Sequence, residues 1–484
     1  MEKLNESMLI DFYEFTMAHG YFDSPHRNQT VYFDLSFRRI PNDGGYAVMA
    51  GLESVVRFIE NLTFSDEDIA YLRGRGIFNE EFLDYLANFE FTGDIYAVKE
   101  GTVVFPNEPI LTVRASAPEA QLLETYLLLT INHQTLIATK ASRIKHAASG
   151  RTVIEMGARR AHGASSANLG ARAAYIGGAD MTSNTLADRL YTVPAGGTMA
   201  HSWVQMFENE YEAFKRYAEL YPNMATFLVD TYDTLQSGVP NAIKVIKDVL
   251  IPAGYERYAI RIDSGDLTYL SKEARRLLDE AGLEECRIVA SNALDEYLIR
   301  ALLNQGAPID IFGVGERLIT AKSDPVFGGV YKLTAVEKDG RIDPKIKISD
   351  NVEKITTPHF KKLYRIYDKQ GHAAADLLTV HDETIDTDKP LTLFDPTHTW
   401  KRQTFRTYSV ENLLIPIIKQ GERVYDLPDV ESIRAHREAS MNRLWDEVKR
   451  FDYPHIYYVD LSEKLWNIKH ELITAHAMPK EKNG

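Results

Sequence analysis

A chain of 484 residues with 44% hydrophobic and 11% aromatic content is too long for one ordinary domain and too apolar for a disordered one, so two or three packed units are expected. A net charge of −14 excludes a general nucleic-acid binder, whose affinity comes from excess lysine and arginine, and leaves any phosphorylated ligand to a local basic cluster. Cys286 is the single cysteine, which excludes a disulfide framework and a multi-cysteine metal site; with apolar runs stopping short of the roughly 18 residues a membrane span needs and no signal-like start, a cytoplasmic protein without a membrane partner is expected.

In chain order, "SVVRFIENL" and "EFLDYLANFEF" read as amphipathic helices. "GDIYAVKEGTVVFPNEPILTVRAS" alternates apolar residues with turn formers, as short antiparallel strands do. Residues 1–134 are therefore expected to form an α+β domain. From residue 135 to 340 strand candidates "TVIEMG", "ATFLVD", "YAIRID", "RIVAS", "IDIFGVG" and "VYKLTAV" are interleaved with the helical patterns "YEAFKRYAELY", "AIKVIKDVL", "SKEARRLLDEAG" and "EYLIRALLNQG". Such alternation calls for parallel βαβ units, in an α/β barrel or, as the alternative, a doubly wound sheet. Residues 341–484 lose that rhythm: "KIKISDNVEKITTPHFKKLYRIYDKQG" reads as strands and turns, and "DVESIRAHREASMNRLWDEVKRF" as a charged helix. This α+β region is expected to pack back on the amino-terminal domain, with "AMPKEKNG" as a frayed tail.

Polar residues recur where the strand candidates end. In a parallel βα architecture all those ends share one face, the face that carries the active site. "GVG", with Gly313 and Gly315, lets backbone N–H groups approach a phosphate because glycine lacks the blocking Cβ. "GARRAHG" supplies Arg159 and Arg160 for bidentate phosphate contact, and Arg172 with "SRIKH" (Arg143, Lys145, His146) adds basic residues nearby in sequence. Asp230, Asp233, Asp263 and Asp266 offer carboxylates for ribose hydroxyls, for Mg²⁺ beside a pyrophosphate, or to orient a histidine, and some of them are ordinary helix caps. His201 stands in "GGTMAHSWVQ", where a glycine pair and small residues leave it exposed. With no HExxH and no short His/Cys array among the 14 histidines, zinc chemistry is unsupported, and the expected role is base or nucleophile, one ring nitrogen held by Asp230.

These stretches, together with "LIDFYEFTMAHGYF", "LVDTYDTLQSG" and "FGVGERLITAKSDPVFGGVYKL", resemble in kind and order the nicotinate phosphoribosyltransferases, from about residue 8 to 335. The resemblance implies an irregular TIM-like α/β barrel with an amino-terminal α+β domain completed by carboxy-terminal segments, and a homodimer with active sites shared between subunits. It implies an enzyme of NAD salvage that joins nicotinate to 5-phosphoribosyl 1-pyrophosphate, with ATP as co-substrate and Mg²⁺ as cofactor, through a phosphohistidine at His201. Asp230 and Asp263 would be the carboxylates beside it. Thr198 and Arg261 would contact nicotinate, Tyr13 would stack on the pyridine ring from the partner subunit, and Met156 would take the ring's other face. Arg159, Asp263, Gly313 and Gly315 would hold the phosphoribosyl part. Relatives that carry Thr where this chain has Glu316 use a donor there, and a carboxylate cannot donate, so no role is carried over to it. The rivals are a nicotinamide phosphoribosyltransferase, a non-catalytic nucleotide-binding barrel, and a metal-dependent barrel using Asp230, Asp263 and Asp266.

Overall fold

The computed structural model describes residues 6–351 and 354–476, so the "AMPKEKNG" tail lies outside the described residues. The chain divides into two units: Ile137–Pro325 with Asp429–Arg434, and Met1–Leu136 with Val326–Pro428 and Ala435–Gly484.

The first of these is a mixed α/β unit. Its six strands all run parallel, in the order Met181–Thr182, Thr152–Glu155, Ile311–Val314, Arg287–Ala290, Tyr258–Ile262, Ala225–Leu228. Val153, Phe227, Ile260, Ile262, Ile288 and Phe312 are at most 1% exposed, as a sheet covered on both faces requires. Helices Glu210–Leu220, Leu267–Glu280 and Glu296–Asn304 occupy the connections. Each starts where its first free N–H groups find a carboxylate or amide: Asn209, Asp266 and Asp295 accept from the first turn. The two-residue strand Met181–Thr182 carries no periodicity of its own. Only its place beside Thr152–Glu155 makes it a strand.

The second unit is built on an antiparallel sheet in which Thr30–Phe37 lies between Pro109–Ser116 and Gly329–Lys338, with Asp94–Ala97 and Ile415–Lys419 beyond. The strand read from "VYKLTAV" therefore does not belong to the parallel series. It pairs antiparallel with Thr30–Phe37, and the apolar/polar alternation of Tyr331, Lys332, Leu333 and Thr334 is the mark of a strand with two unlike faces, not of one sealed between helices. A smaller sheet, Ser409–Asn412, Lys361–Tyr367, Ala373–Val380 and Val459–Leu461, has its own core around Ile366, Leu377, Leu393 and Phe405. The charged helix expected after residue 429 spans Val430–Asn442.

Candidate active site

Because all six strands are parallel, their carboxyl ends share one edge. Arg261 lies on strand Tyr258–Ile262 and Asp263 directly follows its end, two residues on, so their side chains leave the same side of the chain. Register pairs Ile262 with Ala290, which puts Ser291 of the next strand opposite Asp263. The consequence is a clamp. Arg261 Nε donates to Ser291 Oγ at 2.9 Å, Nη1 to Thr198 Oγ1 at 2.9 Å, and Nη2 to Asp263 Oδ1 at 3.3 Å, while the Ser291 hydroxyl donates to the same Asp263 oxygen. The guanidinium side chain is only 12% exposed and is thus fixed by packing as well as by bonds. Thr198 accepts from Arg261 and donates to the Met199 carbonyl at 3.3 Å, so its one hydroxyl proton is taken within the protein. Three of the five N–H donors of Arg261 are taken, and one on each terminal nitrogen is left, the fork geometry that fits a carboxylate.

His201 opens the short helix His201–Gln205 with its side chain 40% exposed. In the run before it, the Gly196 N–H bonds the Thr182 carbonyl at 2.9 Å, and a Cβ there would stand 2.3 Å from Cε at the flexible end of Met181. Asp230 does not hold the imidazole. Nδ1 lies 3.1 Å from Thr231 Oγ1, and Nε2 lies 3.9 Å from Asp263 Oδ2. Asp230 is engaged elsewhere: its Oδ2 accepts from the Asp263 amide at 3.0 Å and the Ser264 hydroxyl at 2.6 Å, tying two strand ends together. Its Oδ1 is buried without a hydrogen-bond partner among the described residues. An unmet buried acceptor costs about 1–3 kcal/mol, so this oxygen is open to a water, a ligand or an ion. Among the described residues no three His, Cys, Asp or Glu side chains gather as a metal cage. Two carboxylates, Asp230 and Asp263, fit an ion such as Mg²⁺ that takes most of its ligands from water and phosphate.

On the neighbouring strands Met156 lies over the glycines. A Cβ on Gly313 would be 2.7 Å from Met156 Sδ and 3.3 Å from Ser291 Cβ, and one on Gly315 would be 2.9 Å from the Met156 carbonyl oxygen. Arg159 and Arg160 form an exposed 3-10 turn, and Arg159 has no protein partner among the described residues. The other basic residues grouped with them in sequence are spent on structure. Arg143 is buried against Glu296 at 3.0 Å, Lys145 pairs with Asp180 at 2.6 Å, and Arg172 is 1% exposed. Asp233 and Asp266 are helix caps, each accepting from two backbone amides. Glu316 pairs with Lys322 at 2.8 Å, which holds its carboxyl below the usual range. Tyr13 is 45% exposed on helix Phe12–Phe22, in the other unit.

Sequence reasoning passed over Thr231, Ser291 and Glu155. Thr231 lies one place beyond Asp230, which was weighed, and Ser291 closes the strand candidate "RIVAS" without having been singled out. Glu155 was visible as the one carboxylate in an apolar strand. It is fully buried, with its carboxyl raised by burial and opposed by bonds from Thr182 Oγ1 at 2.7 Å and from the Gly157 amide.

Family comparisons cover nearly the whole chain. The nicotinate phosphoribosyltransferase (NAPRTase) N-terminal domain matches residues 8–132, the NAPRTase family residues 152–372, and the NAPRTase C-terminal domain residues 360–469. A nicotinate phosphoribosyltransferase of Bacillus subtilis (strain 168) is 45% identical over 469 residues, spanning 96% of this chain and 95% of that one. One of Mycobacterium tuberculosis is 40% identical, over 95% of this chain and 92% of its own. The crystal structure of human nicotinic acid phosphoribosyltransferase superposes with a TM-score of 0.83 at 29% identity, covering 96% of this chain and 100% of that one. The chain belongs to the nicotinate phosphoribosyltransferase family.

Proposed function

We propose that the chain converts nicotinate, 5-phosphoribosyl 1-pyrophosphate, ATP and water to nicotinate mononucleotide, pyrophosphate, ADP and phosphate, as a cytoplasmic enzyme of NAD salvage. The observation that carries this reading is the Arg261 clamp: a guanidinium fixed on three sides by Ser291, Thr198 and Asp263, with one donor left on each terminal nitrogen, meets a carboxylate two-handed. Nicotinate brings its carboxylate there already ionised and its ring nitrogen unprotonated, so the substrate needs orientation and not a base. The Met156 thioether lines one side of the ring. Tyr13 of the partner subunit stacks on the other, in a homodimer whose sites are shared; Phe12, Tyr13 and Met17 leave an apolar patch on one helix for that contact. The parallel sheet forms the wall of an irregular α/β barrel.

At the sugar, Arg159 and the amides beside Gly313 and Gly315 hold the 5-phosphate, and Asp263 accepts from the ribose. Asp230 and Asp263 are the residues that would hold Mg²⁺, which when bound supplies positive charge against the departing pyrophosphate. His201 is the phosphoryl acceptor. With Nδ1–H donating to Thr231, the Nε2 lone pair is free to form the P–N bond as the bond to ADP breaks, and water later returns the phosphoryl group as phosphate. That transient charge beside Asp263 is what couples ATP to product formation.

Initial rates with each pyridine test the reading. Nicotinate is expected to turn over at least tenfold faster than nicotinamide, and the reverse order overturns the assignment. Acid-labile label from γ-³²P ATP is expected in the native protein and absent in His201→Ala.

A further inference from the structure

A cleft of about 460 Å³ lies wholly within the antiparallel unit. Strand alternation lines it: Asp34 and Ser36 share a face of Thr30–Phe37, Arg38 follows directly after that strand, and Lys332, the register partner of Asp34, shares a face of Gly329–Lys338 with Thr334. Lys354 comes from the segment before strand Lys361–Tyr367, Lys361 opens that strand, and Lys469 comes from helix Glu463–His476.

The charges of this cleft do not balance. Asp34 is the one carboxylate among the described lining residues, and it is fully used: Oδ2 pairs with the buried Lys361 at 2.7 Å and Oδ1 accepts from Thr112 at 2.7 Å. Lys361 is satisfied in turn by three backbone carbonyls. Arg38, Lys332, Lys354 and Lys469 remain, and none has a carboxylate partner among the described residues. Lys469 donates to Thr357 Oγ1 at 3.2 Å, and burial, aided by the Lys361 charge, pulls its pKa down to about 8. Composition does not explain the cluster, since the whole chain carries −14. Four cations confined in one cleft repel each other until a counter-charge enters. Val330, Ile355 and Ile473 give the cleft an apolar wall, and its volume suits a small molecule.

We infer that this cleft binds a phosphorylated small-molecule anion, held by Arg38, Lys354 and Lys469. The inference stands apart from the proposed reaction, because no residue of the strand-end site takes part. Inorganic pyrophosphate and the phosphate tail of a nucleotide share the required chemistry.

Equilibrium dialysis of the full chain against ³²P-pyrophosphate in sulfate-free buffer tests it, beside Arg159→Met, which disables the proposed phosphate end of the strand-end site. Binding that persists in Arg159→Met is expected to weaken at least tenfold in Lys354→Met/Lys469→Met. Lys354→Glu, a change on an exposed side chain, is expected to weaken it without altering the melting temperature. Displacement by ATP at concentrations similar to pyrophosphate identifies a nucleotide tail, and displacement by pyrophosphate alone an inorganic ligand; both support the site. Loss of all binding in Arg159→Met, or equal binding by both lysine variants and the native chain, overturns it.

Discussion

Replacing Arg261 by lysine tests the carboxylate clamp most directly. Arginine spends three donors on Ser291, Thr198 and Asp263 and keeps two, which the proposed function assigns to nicotinate. Lysine has three donors on a single nitrogen and cannot satisfy that frame while facing a carboxylate with two bonds. The positive charge survives, so the loss is about one charge-assisted hydrogen bond, roughly 1.5–3 kcal/mol. On the scale of ~1.4 kcal/mol per tenfold, kcat/KM for nicotinate should fall roughly 10- to 150-fold. Nicotinamide offers a neutral carbonyl to the same group and should lose less than about tenfold, since a neutral hydrogen bond contributes ~0.5–1.5 kcal/mol. The selectivity ratio, measured from pyrophosphate release with each pyridine at saturating co-substrates, should therefore shrink. Equal losses for both pyridines would mean that Arg261 supports the fold of the site without reading the carboxylate.

Further outcomes follow from the same geometry. Thr231→Val removes the acceptor at His201 Nδ1 while keeping side-chain shape; label incorporation from γ-³²P ATP should slow about 2- to 10-fold, with nicotinate affinity unchanged. Gly313→Ala presses mainly on the flexible Met156 thioether and more lightly on Ser291 Cβ, so KM for nicotinate should rise with little change in melting temperature, whereas Gly315→Ala meets a backbone oxygen and should lower stability by about 1–3 kcal/mol in denaturant unfolding. Glu14 is fully buried and desolvation raises its carboxyl from 4.5 to about 7. A raised carboxyl favours the folded state below pH 4.5, and that advantage is lost as pH rises through about 7, where the buried charge must form. Glu14→Gln should thus gain up to ~2–3 kcal/mol over the native chain at pH 8 and nothing at pH 4.5; the same difference at both pH values would refute the assignment.

Much of the parallel sheet was legible because apolar strand runs and amphipathic helices alternate with capping aspartates between them. Asp266 could be read as either cap or ligand, and its two backbone bonds decide for the cap. Arg261 and Asp263 were each singled out, for separate roles, and it is strand geometry, which sends residues two apart to one face, that joins them. What sequence could not supply was the fate of each charge. Arg143, Lys145 and Arg172 look like a basic cluster beside Arg159, yet tertiary packing gives the first two carboxylate partners and buries the third. The uncompensated cations sit elsewhere, on residues as far apart in sequence as Arg38 and Lys469, which no local window brings together.

The same limit applies to the imidazole. Asp230 and Thr231 are neighbours in a strand-end loop, and only the direction of each side chain decides which meets His201. Asp230 turns inward because two donors, the Asp263 amide and the Ser264 hydroxyl, wait there, and that leaves the next residue for the histidine. Glu155 plays the corresponding part on the other side of the sheet. One oxygen holds the Gly157 amide, at the root of the turn that carries Arg159, and the other holds the Thr182 hydroxyl. Thr182 in turn bonds the backbone of Pro194 and Gly196, where the loop to Thr198 and His201 begins. A single buried carboxylate thereby anchors both the guanidinium turn and the imidazole loop, so its loss should loosen the two together and not either one alone.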